Sequence, residues 1–85
     1  MNRKESRVIL AHNLRHYRKK SGLTALGLCA RLQEHLNLDP PYARNTLTEW
    51  ETGRYEPPLF VIIALAEIFE ITVDELVCEK QGKEQ

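Results

Sequence analysis

At 85 residues the chain is long enough for one hydrophobic core and too short for a second domain. Its 42% hydrophobic and 28% charged residues describe an ordinary globular protein, and its longest apolar stretch, Leu59 to Ala66, is far shorter than the roughly 20 residues that cross a bilayer. Net charge is zero, yet residues 1–44 hold nine Lys or Arg against three Asp or Glu, and residues 45–85 hold three against nine. Such a division predicts one basic and one acidic face, although chance clustering on a solvated surface gives the same tally.

The opening Met1-Asn2-Arg3-Lys4-Glu5-Ser6 is charged, with no apolar segment and small-residue cleavage site behind it, so no signal peptide is expected and the cytoplasm is the expected compartment. Cys29 and Cys78 stand far apart, outside any Cys-x-x-Cys arrangement, and in a reducing compartment read as two buried or incidental thiols.

Helical periodicity begins with Leu10, Leu14 and Tyr17, which predict an amphipathic first helix over Arg7 to Lys20, closed by Ser21-Gly22. Thr24 is the natural cap of a second helix reaching about Leu36, with Leu28, Cys29 and Leu32 inward. Gly27 inside it is a mild conflict, costing about 0.5–1 kcal/mol relative to Ala. Asp39-Pro40-Pro41 is a break or a new start, since an interior proline removes a hydrogen bond and clashes with the preceding turn. Beyond it, Ala43, Leu47 and Trp50 share one face of a third helix ending near Thr52-Gly53. Pro57-Pro58 opens a fourth helix over Leu59 to Phe69. Thr72-Val73-Asp74-Glu75 fits a capping box and starts a short fifth helix ending near Cys78. One domain is expected over residues 1–78, and the polar tail 79–85 is expected to fray.

Three segments carry a family resemblance. They are Asn13-Leu14-Arg15 with Arg18 and Leu23-Thr24, then Thr46 to Arg54, then Pro57 to Val77 with Leu65-Ala66-Glu67 and Ile71 to Leu76. Together, in this order, they resemble the Cro/cI-type (XRE-like) helix-turn-helix transcriptional regulators over about residues 8–78. The resemblance implies an all-α, five-helix lambda-repressor-like DNA-binding domain, in which helices two and three form the helix-turn-helix and the third lies in the major groove. It also implies an ion pair between Arg18 and Glu51 that locks the first helix to the end of the third. Arg54 would touch a phosphate.

The third-helix wheel is compatible with that role. With Ala43, Leu47 and Trp50 inward, Arg44, Asn45, Thr48, Glu49 and Thr52 point out. Arg44, Asn45, Thr48 and Glu49 are the expected base readers: Arg suits guanine, Asn adenine, Glu the cytosine amino group, and Thr offers hydroxyl and methyl. Thr24, Thr46, Thr52 and Arg54 are the expected backbone contacts, Thr24 at a helix N-terminus whose N–H groups favour phosphate. A plain helical bundle with a solvated polar face would present the same residue types.

Several positions depart from the family pattern. The connector between helices two and three is lengthened, with the surplus around Gln33 to Tyr42; either the second helix is longer or the connector bulges. Ala25 stands where a phosphate-gripping glutamine is common, and Glu49 where a neutral or basic residue is. These changes predict modest affinity per monomer. On the fourth helix, with Ile62, Leu65, Ala66 and Phe69 inward, Phe60, Val61, Ala64 and Ile68 would point outward as an apolar contact surface. That predicts a homodimer presenting two third helices about 34 Å apart to a palindromic site; the alternative is that the fifth helix and tail cover this face.

No Gly-rich phosphate loop, His-Glu-x-x-His or nucleophile motif is present, so no enzyme is expected. His12 and His16 are four apart, but a third ligand is missing, and neither metal nor cofactor is expected. The expected function is a sequence-specific DNA-binding transcriptional regulator, a repressor, acting on double-stranded DNA with no small-molecule effector evident. The alternative is a protein-interaction module, such as an antitoxin or adaptor, working through the fourth helix.

Overall fold

The computed structural model describes residues 2–79. Five helices follow one another: α1 (Arg3–Lys20), α2 (Ala25–Leu36), α3 (Arg44–Glu51), α4 (Leu59–Phe69) and α5 (Val73–Val77), with no strand among the described residues. Residues 80–85 of the expected polar tail lie outside the described residues.

Three of the five helices begin at a side-chain cap, and a fourth behind a proline. Thr24 Oγ1 accepts from Gly27 N at 3.0 Å. That cap also accounts for Gly27, because a Cβ built there would sit 3.1 Å from the same hydroxyl oxygen. Pro58 is the N-cap of α4. At α5 the expected box closes, with Glu75 N donating to Thr72 Oγ1 at 3.0 Å and Thr72 N donating to Glu75 Oε1 at 2.8 Å. The first helix departs from expectation by starting at Arg3. Asn2 and Glu5 form a second capping box, Glu5 N donating to Asn2 Oδ1 at 2.8 Å and Asn2 N to Glu5 Oε1 at 2.9 Å. Apolar periodicity does not reach these residues, but Asn-x-x-Glu does.

The lengthened connector is a loop from Asn37 to Ala43, not an extension of α2. Asn37 turns the chain out of α2 in the left-handed conformation (φ 56°), and Leu38 N bonds back to Gln33 O at 3.0 Å. At its far end Tyr42 packs edge-on against Trp50, ring centroids 5.0 Å apart. Ala43, expected to face the core, is the exposed N-cap of α3 instead, and Tyr42 fills that role as a half-buried neighbour of the core.

The core gathers Leu10, Leu14 and Tyr17 from α1, Leu28, Cys29 and Leu32 from α2, Leu47 and Trp50 from α3, and Leu76 from α5 into one cluster with the buried side of α4. Each fully buried leucine contributes about 1.5–3 kcal/mol relative to an exposed one. Burial, and to a lesser degree the Glu51 carboxylate, pushes the Cys29 thiol above its ordinary pKa, so it stays protonated; neither cysteine is bonded to the other.

The rotation of α4 differs from the expected one. Val61 and Ala64 are 0% and 1% exposed and belong to the core with Leu65, Ala66 and Phe69. Ile68 is half-buried against that core, as is Ile62. The apolar residues that reach solvent are Leu59 (67% exposed), Phe60 (52%) and Ile63 (42%). Of the expected contact set Phe60, Val61, Ala64 and Ile68, only Phe60 is out. Leu65, Ala66 and Phe69 are inward as expected, but a helix that is apolar all round has no polar stripe to set its rotation, and the buried arc is centred about 50° from the one spacing suggested, taking in Val61 and Ala64.

Asn13 joins the two ends of the fold. Its side chain is buried, and Nδ2 donates to Leu76 O at 2.9 Å and Cys78 O at 3.0 Å, serving carbonyls at the C-terminus of α5 that no intrahelical donor reaches. We expect Asn13→Ala to lower stability by about 1–3 kcal/mol in urea unfolding, because the Leu76 carbonyl loses its donor while buried. A change within error would show that water replaces the amide.

Candidate nucleic-acid interface

The outward side of α3 is polar and largely uncommitted. Arg44, Asn45, Thr48 and Thr52 are exposed, while Thr46 and Glu49 are half-buried. Arg44 and Asn45 have no side-chain hydrogen bond to protein among the described residues, so their donors and acceptors face solvent. Thr48 Oγ1 donates to Arg44 O at 3.1 Å and Thr52 Oγ1 to Glu49 O at 3.3 Å. With its proton held by the helix, Thr48 offers outward a methyl group and an accepting oxygen. Thr24 is exposed at the start of α2, its hydroxyl already accepting from Gly27 N. Arg54 is exposed in the loop after α3, its guanidinium 5.9 Å from the Tyr55 ring centroid.

This face is held by arginines of α1. Arg18 Nε and Nη2 donate to Glu51 Oε2 and Oε1 at 2.6 and 3.0 Å, a two-pronged ion pair whose side chains are 14% and 10% exposed. Arg18 Nη1 also donates to Leu23 O at 3.0 Å, fixing the start of α2 to the same guanidinium. The Glu51 carboxylate raises the Arg18 pKa further above its ordinary value. Two further contacts were not anticipated: Arg15 Nη1 donates to Glu51 O at 2.6 Å, and Arg7 Nε to Gly53 O at 3.3 Å. Arg7, Arg15 and Arg18 are eight and three residues apart in sequence, a helical spacing that puts them on one side of α1 and was available as a signal.

Gly53 ends α3 in the left-handed region (φ 77°), with Arg54 N bonding back to Glu49 O at 3.0 Å. A Cβ there would meet Arg7 O and Val8 Cα only at 3.6 Å, ordinary contact, so the backbone conformation is what calls for glycine.

His12 and His16 are both exposed, and among the described residues no three metal-ligating side chains converge there or elsewhere. No helix among the described residues is long and apolar enough to cross a membrane.

A five-helix all-α fold that braces a short, outwardly polar third helix against the first defines a helix-turn-helix protein of the lambda-repressor-like kind. A family model described as a helix-turn-helix domain matches residues 9–77, and the chain belongs to that family. No curated protein and no solved structure matches it.

Because Glu51 neutralises a poorly solvated guanidinium, Glu51→Leu should lower stability by about 3 kcal/mol. The double variant with Arg18→Met should lose less than that single variant, since both charges are then gone. A double-mutant cycle by chemical denaturation reads the coupling; additive losses would contradict it.

Proposed function

We propose that the chain is a sequence-specific DNA-binding transcriptional regulator, a cytoplasmic repressor that inserts α3 into the major groove. The observation that carries this reading is the exposed, unpartnered pair Arg44 and Asn45 at the start of α3, followed one turn later by Thr48. Arg44 fits the O6 and N7 acceptors of guanine, Asn45 the adenine edge, and Thr48 a thymine methyl or a base amino group. Glu49, half-buried, has the shorter reach and would accept from a cytosine amino group. Thr24, Thr46, Thr52 and Arg54 border this set and would hold phosphates, which fix register without reading sequence.

Selection of duplexes from a randomised library at near-physiological salt tests the reading. Enrichment of a defined site supports it, and Arg44→Ala or Asn45→Ala should then cost about 1–3 kcal/mol at that site and relax preference at one position each. Weak binding without enrichment, vanishing as salt rises, would leave only charge attraction and defeat it.

The proposed working form is a homodimer on a palindromic operator. Leu59, Phe60 and Ile63 form the apolar surface that supports it, in place of the set expected from sequence. The same surface supports a second reading, a protein-interaction module such as an antitoxin or adaptor, for which Arg44 and Asn45 would be dispensable. In sedimentation at high micromolar concentration, wild type should be dimeric and Phe60→Ser with Ile63→Ser monomeric. A monomeric wild type removes the dimer.

A further inference from the structure

We propose that the first turns of α1, together with Arg54, form a second phosphate-gripping surface beside the reading helix, centred on Arg7; the inference rests on the DNA-binding reading above. It comes from the unexpected start of α1. The Asn2–Glu5 capping box carries the helix back to Arg3, and the added turn lies against the loop that follows α3. Arg7 Nε donates to Gly53 O at 3.3 Å, and Arg3 Nε is 3.8 Å from Glu56 Oε1. Arg3 and Arg7 are one turn apart on the same side of α1, and Arg54 directly follows Gly53. Glu5, the nearest carboxylate on α1, is turned back to its own cap. Arg3 and Arg7 thus reach the loop at the C-terminal end of α3, where Arg54 follows Gly53 in the chain and Glu56 faces Arg3.

The Arg7 guanidinium has a fixed root and a free fork. Nε is tied to the Gly53 carbonyl, and its two Nη groups have no acceptor among the described residues. The side chain is half-buried, so its place is set before a ligand arrives and little freedom is left to lose on binding. The planar fork matches two oxygens of one phosphate. A duplex whose major groove receives α3 carries a phosphate backbone on each side of that groove, and Gly53-Arg54 is where the chain leaves it. Arg7 grips the backbone there, alongside Arg54, while Arg3 adds charge at the rim.

The test is the salt dependence of binding to a labelled duplex of mixed sequence, followed by fluorescence anisotropy for wild type, Arg7→Gln and Arg7→Lys. One lost phosphate contact should make the slope of log K against log salt shallower by about 0.9 in Arg7→Gln. Its affinity should then fall about three- to fourfold less than that of wild type between roughly 50 and 200 mM salt. Arg7→Lys, which keeps the charge, should keep the wild-type slope. If the glutamine variant loses folded protein, Arg3→Gln, on a solvent-exposed side chain, should still flatten the slope. An unchanged slope in Arg7→Gln overturns the assignment and leaves Arg7 as a loop brace, whatever happens to its melting temperature. A wild type that binds no duplex even at low salt overturns the DNA reading itself, a separate result.

Discussion

Glu51 is a carboxylate in a poor place. It is the last residue of α3, at the end of the helix dipole that repels negative charge, and it is only 8% exposed. Left alone there it would be strongly destabilising. Arg18 meets it with two hydrogen bonds, and Arg15 and Arg7 take the neighbouring carbonyls of Glu51 and Gly53. One side of α1 therefore supplies the positive charge and the donors that the end of α3 lacks. Because the same Arg18 also holds Leu23 O, the start of α2 and the end of α3 share a single reference point. The outward face of α3 is oriented by that arrangement more than by its own short stretch of helix, for eight residues are marginal without tertiary support.

Much of this was legible. Caps and breakers speak locally: Thr24, Pro58 and Thr72 fix where α2, α4 and α5 begin because each acts within one turn of itself. Leu47 and Trp50 are inward because α3 has a clear polar side. The rotation of α4 was harder, since apolar residues surround that helix. Its one charge held the answer: Leu59, Phe60 and Ile63 lie eight, seven and four residues before the exposed Glu67 and share its side. Side-chain chemistry that acts at long range was not legible. Nothing near Asn13 announces that its amide closes α5, more than sixty residues away in sequence, nor does anything near Arg15 point to the Glu51 carbonyl.

The zero net charge of the chain conceals a sorted one. The basic half of the sequence supplies all of α1 and α2 and the first residue of α3, whereas α4 and α5 contain acidic residues and no basic ones. The arginines that brace α3 and those left exposed around it come largely from the same segment. Structural and electrostatic roles are thereby combined on α1, so a change there can alter stability and surface potential together. Variants that preserve the charge and variants that remove it separate the two.

The connector between α2 and α3 is pinned at both ends, by the left-handed Asn37 turn and by the ring of Tyr42 on Trp50. Asp39, Pro40 and Pro41 between those anchors are exposed. The placement of α3 is thus mechanically isolated from the length of the segment that precedes it. Loop closure grows only logarithmically costly with length, so residues can be added between Leu38 and Pro41 with little effect on how α3 is held. This makes the connector a graft site: a tag, a probe or a short peptide could be carried there, close to α3 yet not part of what positions it.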